Sequence, residues 1–381
     1  MMPTILLRRT FRFKAFYFLL FLNCGLSFAA EPVFKAGFVA PTGADDPFFA
    51  EAIEVMRAAA EDLNIELKID YAARNVSMYS RKRGLKLIKT YKPDYMLTGS
   101  WPGGAKYHLQ AAQAAGIKSF VFNAPLLGDE DFSVSMPRKE LSGWLGQMTP
   151  DNRQASYLLA DLLIEAARQR KLLDKDGKVR MIAINGDGED ISAQHRFEGL
   201  KERVARHKDV VLQEMVLAGW LKETADRETE RLLRVYPETA VIWAASDHMA
   251  QGVVDAAERM GRKPGEDLLI GGFDWVEENL RQIKAGRITA SVGAHILEGA
   301  WALVLLYDYH KGVDFADELG LKFHSPMHAI TAENIDRYQR LLEGMNWNEV
   351  DFTKFSKALN PGLKRYDFSL PAVLKAAGEP R

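Results

Sequence analysis

Cysteine is almost absent from this chain of 381 residues, which contains one, Cys24. A single thiol can form neither an intramolecular disulfide nor a multi-thiolate metal site, so packing must stabilise the fold. Charge of one sign is not in excess either, since 50 Lys and Arg residues accompany 51 Asp and Glu residues, for a formal net charge of -1. The overall charge therefore directs the chain to neither nucleic acid nor an anionic membrane, and we predict no nucleic-acid partner.

Long apolar runs are missing after the N-terminal region. No later segment has the length expected of a membrane span. Residues 1–30 have the layout of a secretory signal peptide, with four basic residues between positions 8 and 14, a short apolar core and small residues near its end. The core is too short for an anchor, and Asn23 before Cys24 disfavours lipidation. We expect cleavage near Ala29 or Ala30 and a periplasmic protein. The signal carries four cations and no acid, so its removal leaves a net charge of -5.

The length of the chain exceeds that of an ordinary single domain and favours two lobes. After residue 31, short apolar runs alternate with longer amphipathic segments, a pattern typical of parallel strands joined by crossover helices. The pattern stops in a Gly-, Pro- and acid-rich connection at 126–150 and then begins again. We therefore predict an α/β fold of two doubly wound lobes, with strands at 33–40, 66–72, 95–98, 118–123, 179–184, 210–216, 240–245, 268–273 and 288–292.

Residues that directly follow the predicted strands are candidates for a binding site, because ligands of open parallel sheets bind beyond the carboxyl ends of the strands. Aromatic, carboxylate, amide and guanidinium side chains collect at these positions: Phe48, Phe49, Trp101, Asn123, Arg196, Trp220, Asp247 and Asp274. Flat rings stack on the apolar faces of a sugar, while the polar groups hydrogen-bond its hydroxyls. The pattern predicts a cage for a small polar ligand such as a carbohydrate.

Each candidate also has a structural alternative. One of the two phenylalanines could belong to the core, Trp101 could cover a loop, and Asp247 and Asp274 could cap helices. Arg196 could pair with Glu198 or Glu202 on its own helix. These alternatives remain open at the level of the sequence.

Motifs for catalysis and for metal binding are absent from the sequence. It contains no Gly-x-Ser-x-Gly elbow, no phosphate-binding Gly-rich loop and no His-Glu-x-x-His pair. The acidic run at 186–190 lacks the spacing of a calcium loop. We predict no metal, no cofactor and no enzymatic activity. Carboxylate pairs leave a secreted glycoside hydrolase as an alternative.

Several short segments, taken in order, resemble the periplasmic sugar-binding proteins of the type I periplasmic-binding fold, similar to ribose- and galactose-binding proteins. The resemblance spans about residues 33–338 and rests on Asp46-Pro47-Phe48-Phe49, Lys92-Pro93-Asp94-Tyr95, Thr149-Pro150-Asp151-Asn152, Arg196 with Gly199, Ser246-Asp247-His248-Met249, Gly271-Gly272-Phe273-Asp274 and Thr331-Ala332-Glu333-Asn334. It implies two lobes that close about a three-segment hinge. The expected division is 31–138 with 294–323, then 139–293 with 324–345, and a C-terminal extension at 346–381.

The resemblance also implies roles for the candidate residues. Phe48 and Phe49 correspond to stacking aromatics, Arg196 to the arginine that grips ring hydroxyls and Trp220 to the opposing wall. Asp247 lies near the family's Asn/Asp site, and Asp274 corresponds to the carboxylate that binds paired hydroxyls. Two departures leave the identity of the ligand open, since Asn123-Ala124 stands where Asp-Arg is common and Gly293-Ala294-His295 stands where a glutamine is common.

The function implied by the resemblance is that of a monomeric solute-binding protein that delivers a small polar ligand to the membrane permease of an ABC importer. A co-receptor that reports its ligand to a membrane sensor kinase, as autoinducer-binding relatives do, is the alternative, and the sequence does not separate the two. A repressor of the same fold would carry a helix-turn-helix before the first strand, where this chain has an export signal.

Overall fold

The structure is a computed structural model that describes residues 31–72, 77–99, 104–126, 136–342 and 346–378. The predicted signal peptide at 1–30 and the candidate Trp101 lie outside these residues. The chain from Pro32 to Arg381 forms one compact unit, and everything below concerns it. Within the described residues, no helix has both the length and the apolar character needed to cross a membrane.

Strands occur in two groups that form separate six-stranded sheets. They are β1 Lys35–Ala40, β2 Glu66–Tyr71, β3 Tyr95–Thr98, β4 Lys118–Phe122, β5 Trp144–Pro150, β6 Val179–Asn185, β7 Val210–Leu217, β8 Val241–Ala244, β9 Leu269–Phe273, β10 Ala290–Gly293, β11 Lys322–Ser325 and β12 His328–Thr331. The first sheet has the order β11-β5-β4-β3-β1-β2 and the second the order β12-β10-β9-β8-β6-β7. All neighbouring pairs are parallel except β12, which runs antiparallel to β10.

Helices connect most of these strands. They are α1 Pro47–Asp62, α2 Ser77–Tyr91, α3 Ala105–Ala114, α4 Asn152–Gln169, α5 Ile191–Val204, α6 Lys222–Val235, α7 Asp247–Arg259, α8 Glu277–Lys284, α9 Glu298–His310, α10 Ala316–Leu319, α11 Ile335–Leu342 and α12 Leu370–Ala376, with single 3-10 turns at His295–Leu297, Trp347–Glu349 and Phe352–Phe355. The predicted α/β fold of two lobes is confirmed. The first lobe is built on the first sheet and the second lobe on the second sheet.

Several helices begin directly after a strand because a polar side chain caps them. The Asp46 carboxylate accepts hydrogen bonds from the backbone N–H groups of Phe48 and Phe49, with Pro47 at the first helical position. Asp190 caps α5 in the same way, and the Ser246 hydroxyl caps α7. Short capped connections keep the helix N-termini at the carboxyl ends of the strands, where the predicted site lies.

Strand β5 is a correction to the sequence analysis, which placed residues 126–150 in a connection and gave positions from 139 onward to the second lobe. The structure instead inserts Trp144–Pro150 between β4 and β11 in the first sheet. Gly146 weakens the strand pattern in the sequence, but the packing of the sheet requires a glycine at this position. A Cβ there would lie 2.7 Å from the Phe315 ring and 3.1 Å from the Phe120 ring.

The chain crosses between the lobes at three strand ends: after β5, after β10 and between β11 and β12. These crossings correspond to the expected three-segment hinge. A fourth passage follows α11, because α11 packs against α8 of the second lobe while the residues after Asn346 pack on α1 and α9 of the first. The extension therefore returns the chain to the lobe in which the fold began.

An aromatic cluster fixes the extension to the first lobe. The Trp301 ring of α9 lies 4.7 Å from the rings of Phe355 and Phe368, and its plane is stacked on Phe368 at 15°. The Trp347 indole N–H donates to the Glu51 carboxylate of α1 at 2.7 Å. Apolar burial and ring contacts of this kind make the extension an integral part of the first lobe.

The buried carboxylate of Asp308 on α9 gathers the polar groups of the extension. It accepts hydrogen bonds from the backbone N–H of Lys357 at 2.7 Å and of Ala358 at 3.1 Å. It also accepts from the hydroxyls of Ser356 and Tyr366. The Asp308 side chain is fully buried, so water could not satisfy these donors if the carboxylate were removed.

We expect Asp308→Ala to lower the free energy of unfolding by roughly 2 to 4 kcal/mol, because it leaves several buried donors unpaired. Urea unfolding followed by circular dichroism measures the change. Asp317→Ala, which removes an exposed carboxylate from the nearby helix α10, serves as the control and should cost less than about 0.5 kcal/mol. Equal effects of the two substitutions would contradict an anchoring role for Asp308.

Candidate functional site

A cavity of about 120 Å³ lies in the cleft between the two lobes. An apolar cavity of about 150 Å³ accommodates benzene, so this one has room for a molecule about the size of a single ring. Six of the eight predicted site residues line it: Phe48, Phe49, Asn123, Arg196, Trp220 and Asp274. The phenylalanines and Asn123 come from the first lobe, and the other three come from the second. The structure thus brings together strand ends that are far apart in the sequence.

Arg196 lies at the floor of the cavity with 4% of its surface exposed. Its Nε–H donates to the Asn152 side-chain oxygen at 2.8 Å, and Nη1 donates to the Ala245 carbonyl at 2.6 Å and to Asp274 Oδ1 at 3.5 Å. Nη2 lies 3.1 Å from His295 Nε2. A guanidinium has five N–H donors, and the bonds to Asn152, Ala245 and Asp274 use three. His295 can take at most one of the two on Nη2, so at least one N–H on Nη2 has no partner among the described residues.

The alternative pairing considered for Arg196 is taken by a different arginine. Glu198 and Glu202 both form ion pairs with Arg153 of α4, at the exposed surface. The Arg196 guanidinium instead lies over the Phe273 ring, 4.5 Å from its centroid, and 5.9 Å from that of Trp220. Its orientation is therefore set by contacts inside the cleft.

Asp274 is held beside this guanidinium by an unusual backbone. Its φ angle is 109°, in the left-handed region that non-glycine residues seldom adopt, and its N–H donates to the Val292 carbonyl at 3.0 Å. Oδ1 contacts Arg196 and His295, at 3.1 Å from His295 Nε2. Across the described residues, Oδ2 has no hydrogen-bond partner. The free oxygen and the free N–H of Arg196 form an acceptor and a donor on the same wall. Asp274 does not cap α8, whose first residue follows Val276.

His295 completes the floor from the hinge crossing after β10. The ring is stacked on Phe48, with centroids 4.9 Å apart and planes at 25°. Burial lowers the pKa of the imidazole, and the adjacent Arg196 lowers it further, against the opposing effect of Asp274. Its Nδ1 is buried without a partner among the described residues. The hinge thus contributes a neutral polar ring to the site.

Phe48 and Phe49 divide the two roles considered for them. Phe48 is partly exposed at the cavity and meets Phe49 edge to face, with centroids 5.1 Å apart. Phe49 is buried in the core of the first lobe while still contacting the cavity. Phe48 therefore presents the larger apolar surface to a ligand.

Trp220 forms the wall of the second lobe at a tight turn. Gly219 and Trp220 both have positive φ angles, 58° and 65°. The indole lies directly over Gly186, where a Cβ would come within 2.3 Å of the ring. Gly186 is consequently required for this placement of Trp220. The acidic run at 186–190 forms the turn between β6 and α5 and provides the α5 cap.

Asn123 connects the cavity to a buried carboxylate in the hinge. Its Nδ2 donates to Glu298 Oε2 at 3.3 Å, and the Ser325 hydroxyl donates to Glu298 Oε1. Burial raises the pKa of Glu298 to about 8, while the hydrogen bonds and the charge of Arg196 act in the opposite direction. Residues of three hinge-proximal segments meet at this one carboxyl group.

The structure places Asp247 behind the cavity wall rather than on it. The side chain is fully buried in the first turn of α7, which Ser246 caps. Oδ2 accepts from the Val276 N–H at 3.0 Å and from the Ser291 hydroxyl at 2.7 Å. Burial and the nearby Asp274 raise its pKa well above the ordinary value. Its contact with Val276 makes Asp247 a support for the loop that carries Asp274.

Sequence reasoning did not identify His295, Asn152 and Glu298, which line the cavity or hydrogen-bond to residues that do. His295 and Asn152 directly follow β10 and β5, and the strand-end rule could have identified both once those strands were assigned. Glu298 had a weaker signal, as a single acid at the start of the apolar segment Glu298–Leu306. Buried acids in apolar helices are uncommon and generally have a specific partner.

The site offers hydrogen-bonding groups and aromatic faces, with its charges already paired. Asp46 and Asp190 cap helices, and Asp274 faces Arg196. In the part of the chain that the structure describes, no group of three or more His, Cys, Asp or Glu side chains could hold a metal ion. The arrangement suits recognition of a compact molecule with both an apolar face and several hydroxyls.

Comparison with protein families matches residues 36–313 to the model described as periplasmic binding protein domain. The solved structure of a periplasmic sugar-binding protein from Pseudomonas fluorescens is similar, with a TM-score of 0.78 and 29% identity over 91% of this chain and 99% of that one. An ABC transporter periplasmic solute binding protein from Actinobacillus succinogenes, solved with bound D-allose, shares the fold with a TM-score of 0.68 and 19% identity, covering 80% of this chain and 99% of that one.

Curated relatives match over shorter stretches. The ribose import binding protein RbsB of Salmonella typhimurium is 26% identical over 140 residues, which cover 37% of this chain and 43% of that protein. The ribose operon repressor of Halalkalibacterium halodurans is 27% identical over 175 residues, which cover 44% of this chain and 49% of that protein. The chain thus spans about half the length, or less, of these two relatives.

Histidines whose pKa is lowered by burial, among them His295, make stability rise with pH through the range in which a free histidine loses its proton. Glu298 should contribute a slope of the opposite sign between about pH 5 and 8, because it holds its proton in the folded state over a range in which the unfolded chain has lost it. Asp247, whose pKa is also raised, acts in the same direction as Glu298. Glu298→Gln should remove the Glu298 contribution, so that the stability of the variant falls less, or rises more, with pH than that of wild type. Urea midpoints at pH 5.5, 6.5, 7.5 and 8.5 measure it, with the exposed Glu333→Gln as control. An unchanged slope in the Glu298 variant would contradict the assignment.

Proposed function

The chain belongs to the periplasmic binding protein domain family, and from that premise we propose that it is a periplasmic solute-binding protein whose cleft takes a carbohydrate or a similar polyol. The observation that carries the proposal is the free donor of Arg196 beside the free acceptor oxygen of Asp274, between the rings of Phe48 and Trp220. Adjacent hydroxyls on one face of a sugar ring match a donor and an acceptor placed side by side.

Charge balance supports a neutral ligand. Arg196 is buried in the cleft, and its charge is offset by Asp274 at 3.5 Å. Asp46 and Asp190 add further acids to the cavity lining. A phosphorylated or carboxylated solute would need an unpaired cation there, because a buried charge without a partner is costly. A neutral ring with hydroxyls meets no such penalty.

Two positions near the hinge favour a ligand different from that of similar sugar-binding proteins. Those proteins commonly bind their ligand with a glutamine at one position and an Asp-Arg pair at the other. His295 and Asn123 supply a stacked imidazole and an amide at those positions. The Nδ1 atom of His295 is buried without a partner among the described residues, so this ring offers a ligand fewer hydrogen-bonding groups than a glutamine amide, which can donate and accept. We infer that the ligand presents fewer polar groups toward the hinge than a pentose or hexose held by those residues.

The proposal includes export, delivery and the absence of catalysis. The protein acts in the periplasm after signal cleavage, as a monomer, and passes its ligand to the permease of an ABC importer. The carboxylates at the cavity are committed to helix caps and to the Arg196 pair, which supports binding without catalysis. No cofactor takes part.

A thermal-shift screen of sugars, cyclitols and nucleosides tests the proposal, because a ligand of the native state raises the melting temperature. We expect a neutral polyol to give the largest shift. Arg196→Ala should then weaken its binding by roughly 2 to 5 kcal/mol in calorimetry. Arg153→Ala, which removes an exposed arginine, is the matched control and should change binding by less than about 0.5 kcal/mol. A screen in which no polyol binds would refute the proposal.

We expect the same ligand to change the tryptophan fluorescence of the protein, because Trp220 lines the cavity. Trp220→Phe should abolish most of this change. Trp243→Phe should retain it, because Trp243 is buried in the second sheet and its indole N–H has no hydrogen-bond partner among the described residues. A ligand that binds in calorimetry but leaves the spectrum of the wild-type protein unaltered would argue against this position for Trp220.

A further inference from the structure

The outward side of α2 carries a stripe of long side chains on the first lobe, which we name the α2 stripe: Met78, Lys82, Leu85, Lys86 and Lys89. At about 100° per residue, these five positions fall within an arc of about 100° on the helix surface. All are exposed, and Met78 and Leu85 are 67% and 50% accessible. Their buried neighbours Leu87 and Ile88 hold the opposite side of the helix against the lobe.

The charge of this helix is of one sign. It contains five basic residues and no acidic one. Arg83 pairs with Asp70 at 3.3 Å, and the Arg81 guanidinium lies 3.6 Å from the centroid of the Tyr107 ring. The three lysines of the α2 stripe form no ion pair with the residues that the structure describes. The chain is close to neutral overall, so this is a local concentration of positive charge.

On other surface helices, basic residues form ion pairs with acidic residues of the same helix. Arg281 of α8 pairs with Glu277 and Glu278 in its own helix. Arg234 of α6 pairs with Glu230 in the same way. Intrahelical pairing of this kind neutralises a solvated helix face. The α2 stripe lacks it and places two large apolar side chains among its lysines instead.

Two tyrosines extend the apolar character of this surface. Tyr79 adjoins the α2 stripe and is 47% accessible, and Tyr107 of α3 is 42% accessible beside Arg81. Tyrosine is enriched at the boundary between a bilayer and water, where its ring is buried and its hydroxyl stays hydrated. Lysine stems likewise lie along an apolar surface while their charges reach outward.

We propose that the α2 stripe is a membrane-association surface, which binds the face of an anionic phospholipid bilayer. Lysine is depleted in protein interfaces, where arginine and aromatic residues are enriched, so three unpaired lysines favour a lipid surface over a protein partner. Lysines interspersed with leucine, methionine and aromatic residues are typical of surfaces that lie on anionic membranes. The stripe is separate from the cavity residues, so the inference does not depend on which ligand the cleft takes.

The test is flotation of the exported protein with vesicles of phosphatidylcholine and phosphatidylglycerol at 7:3, compared with pure phosphatidylcholine. We expect binding to the anionic vesicles in 20 mM salt and weaker binding in 300 mM salt, because surface charge is screened. Each basic residue near an anionic surface strengthens binding about fivefold. The triple variant Lys82→Glu, Lys86→Glu, Lys89→Glu should therefore bind at least tenfold more weakly.

A matched variant separates the α2 stripe from net charge. Lys171→Glu, Lys175→Glu, Lys208→Glu makes the same change at exposed lysines of the second lobe that form no ion pair within the described ranges, and we expect its vesicle binding to stay within twofold of wild type. Met78→Ser with Leu85→Ser should weaken binding severalfold at constant charge. Circular dichroism confirms folding of each variant. Equal loss in both triple variants, or no binding of wild type to anionic vesicles, would overturn the proposal, and the latter would leave an acidic protein partner to be considered.

Discussion

The buried guanidinium of Arg196 is the group on which the cleft depends. A cation removed from water is costly unless its donors are satisfied, and here the partners come from four separate segments. Asn152 follows the first hinge crossing, Ala245 follows β8, Asp274 follows β9, and His295 lies in the second hinge crossing. Because one rigid fork must reach all four, the second lobe and two of its connections hold a single relative arrangement around the ligand.

The hinge has its own polar centre on the other side of the cavity. Glu298 receives hydrogen bonds from Asn123 and Ser325, so it joins the end of β4 to the third crossing. A carboxyl group with a pKa of about 8 can be neutral or charged near neutral pH. Arg196 and Glu298 together place a positive and a titratable group beneath the same small cavity. Movement of the lobes must preserve or exchange these contacts, since both groups are buried and leaving either without a partner is costly.

Much of the fold and part of the site could be predicted from the sequence. Asn123, Trp220 and Asp274 could be identified because they are polar or aromatic residues directly after predicted strands. A parallel sheet brings the carboxyl ends of its strands to one edge, where a ligand binds. Strand β5 escaped detection because Gly146 weakens the local strand signal, and only contacts with Phe120 and Phe315 explain the glycine. Asp247 has the residue type of a ligand-binding group, but it is buried behind the cavity and contacts Val276. Sequence spacing does not show how deeply a residue is buried. The unpaired lysines of α2 were hidden by an overall charge near zero, since totals do not record where charges are neutralised.

The return of the extension to the first lobe has a consequence for the architecture of the chain. β1 and the final described helix, α12, both belong to that lobe, so the second lobe is in effect an insertion between two parts of the first. A label placed just before β1 or just after α12 would therefore travel with the same body. A sensor of closure built on this protein would need one reporter inside the second lobe, for instance in the exposed turn between α4 and β6, and could place the other at either of these two positions.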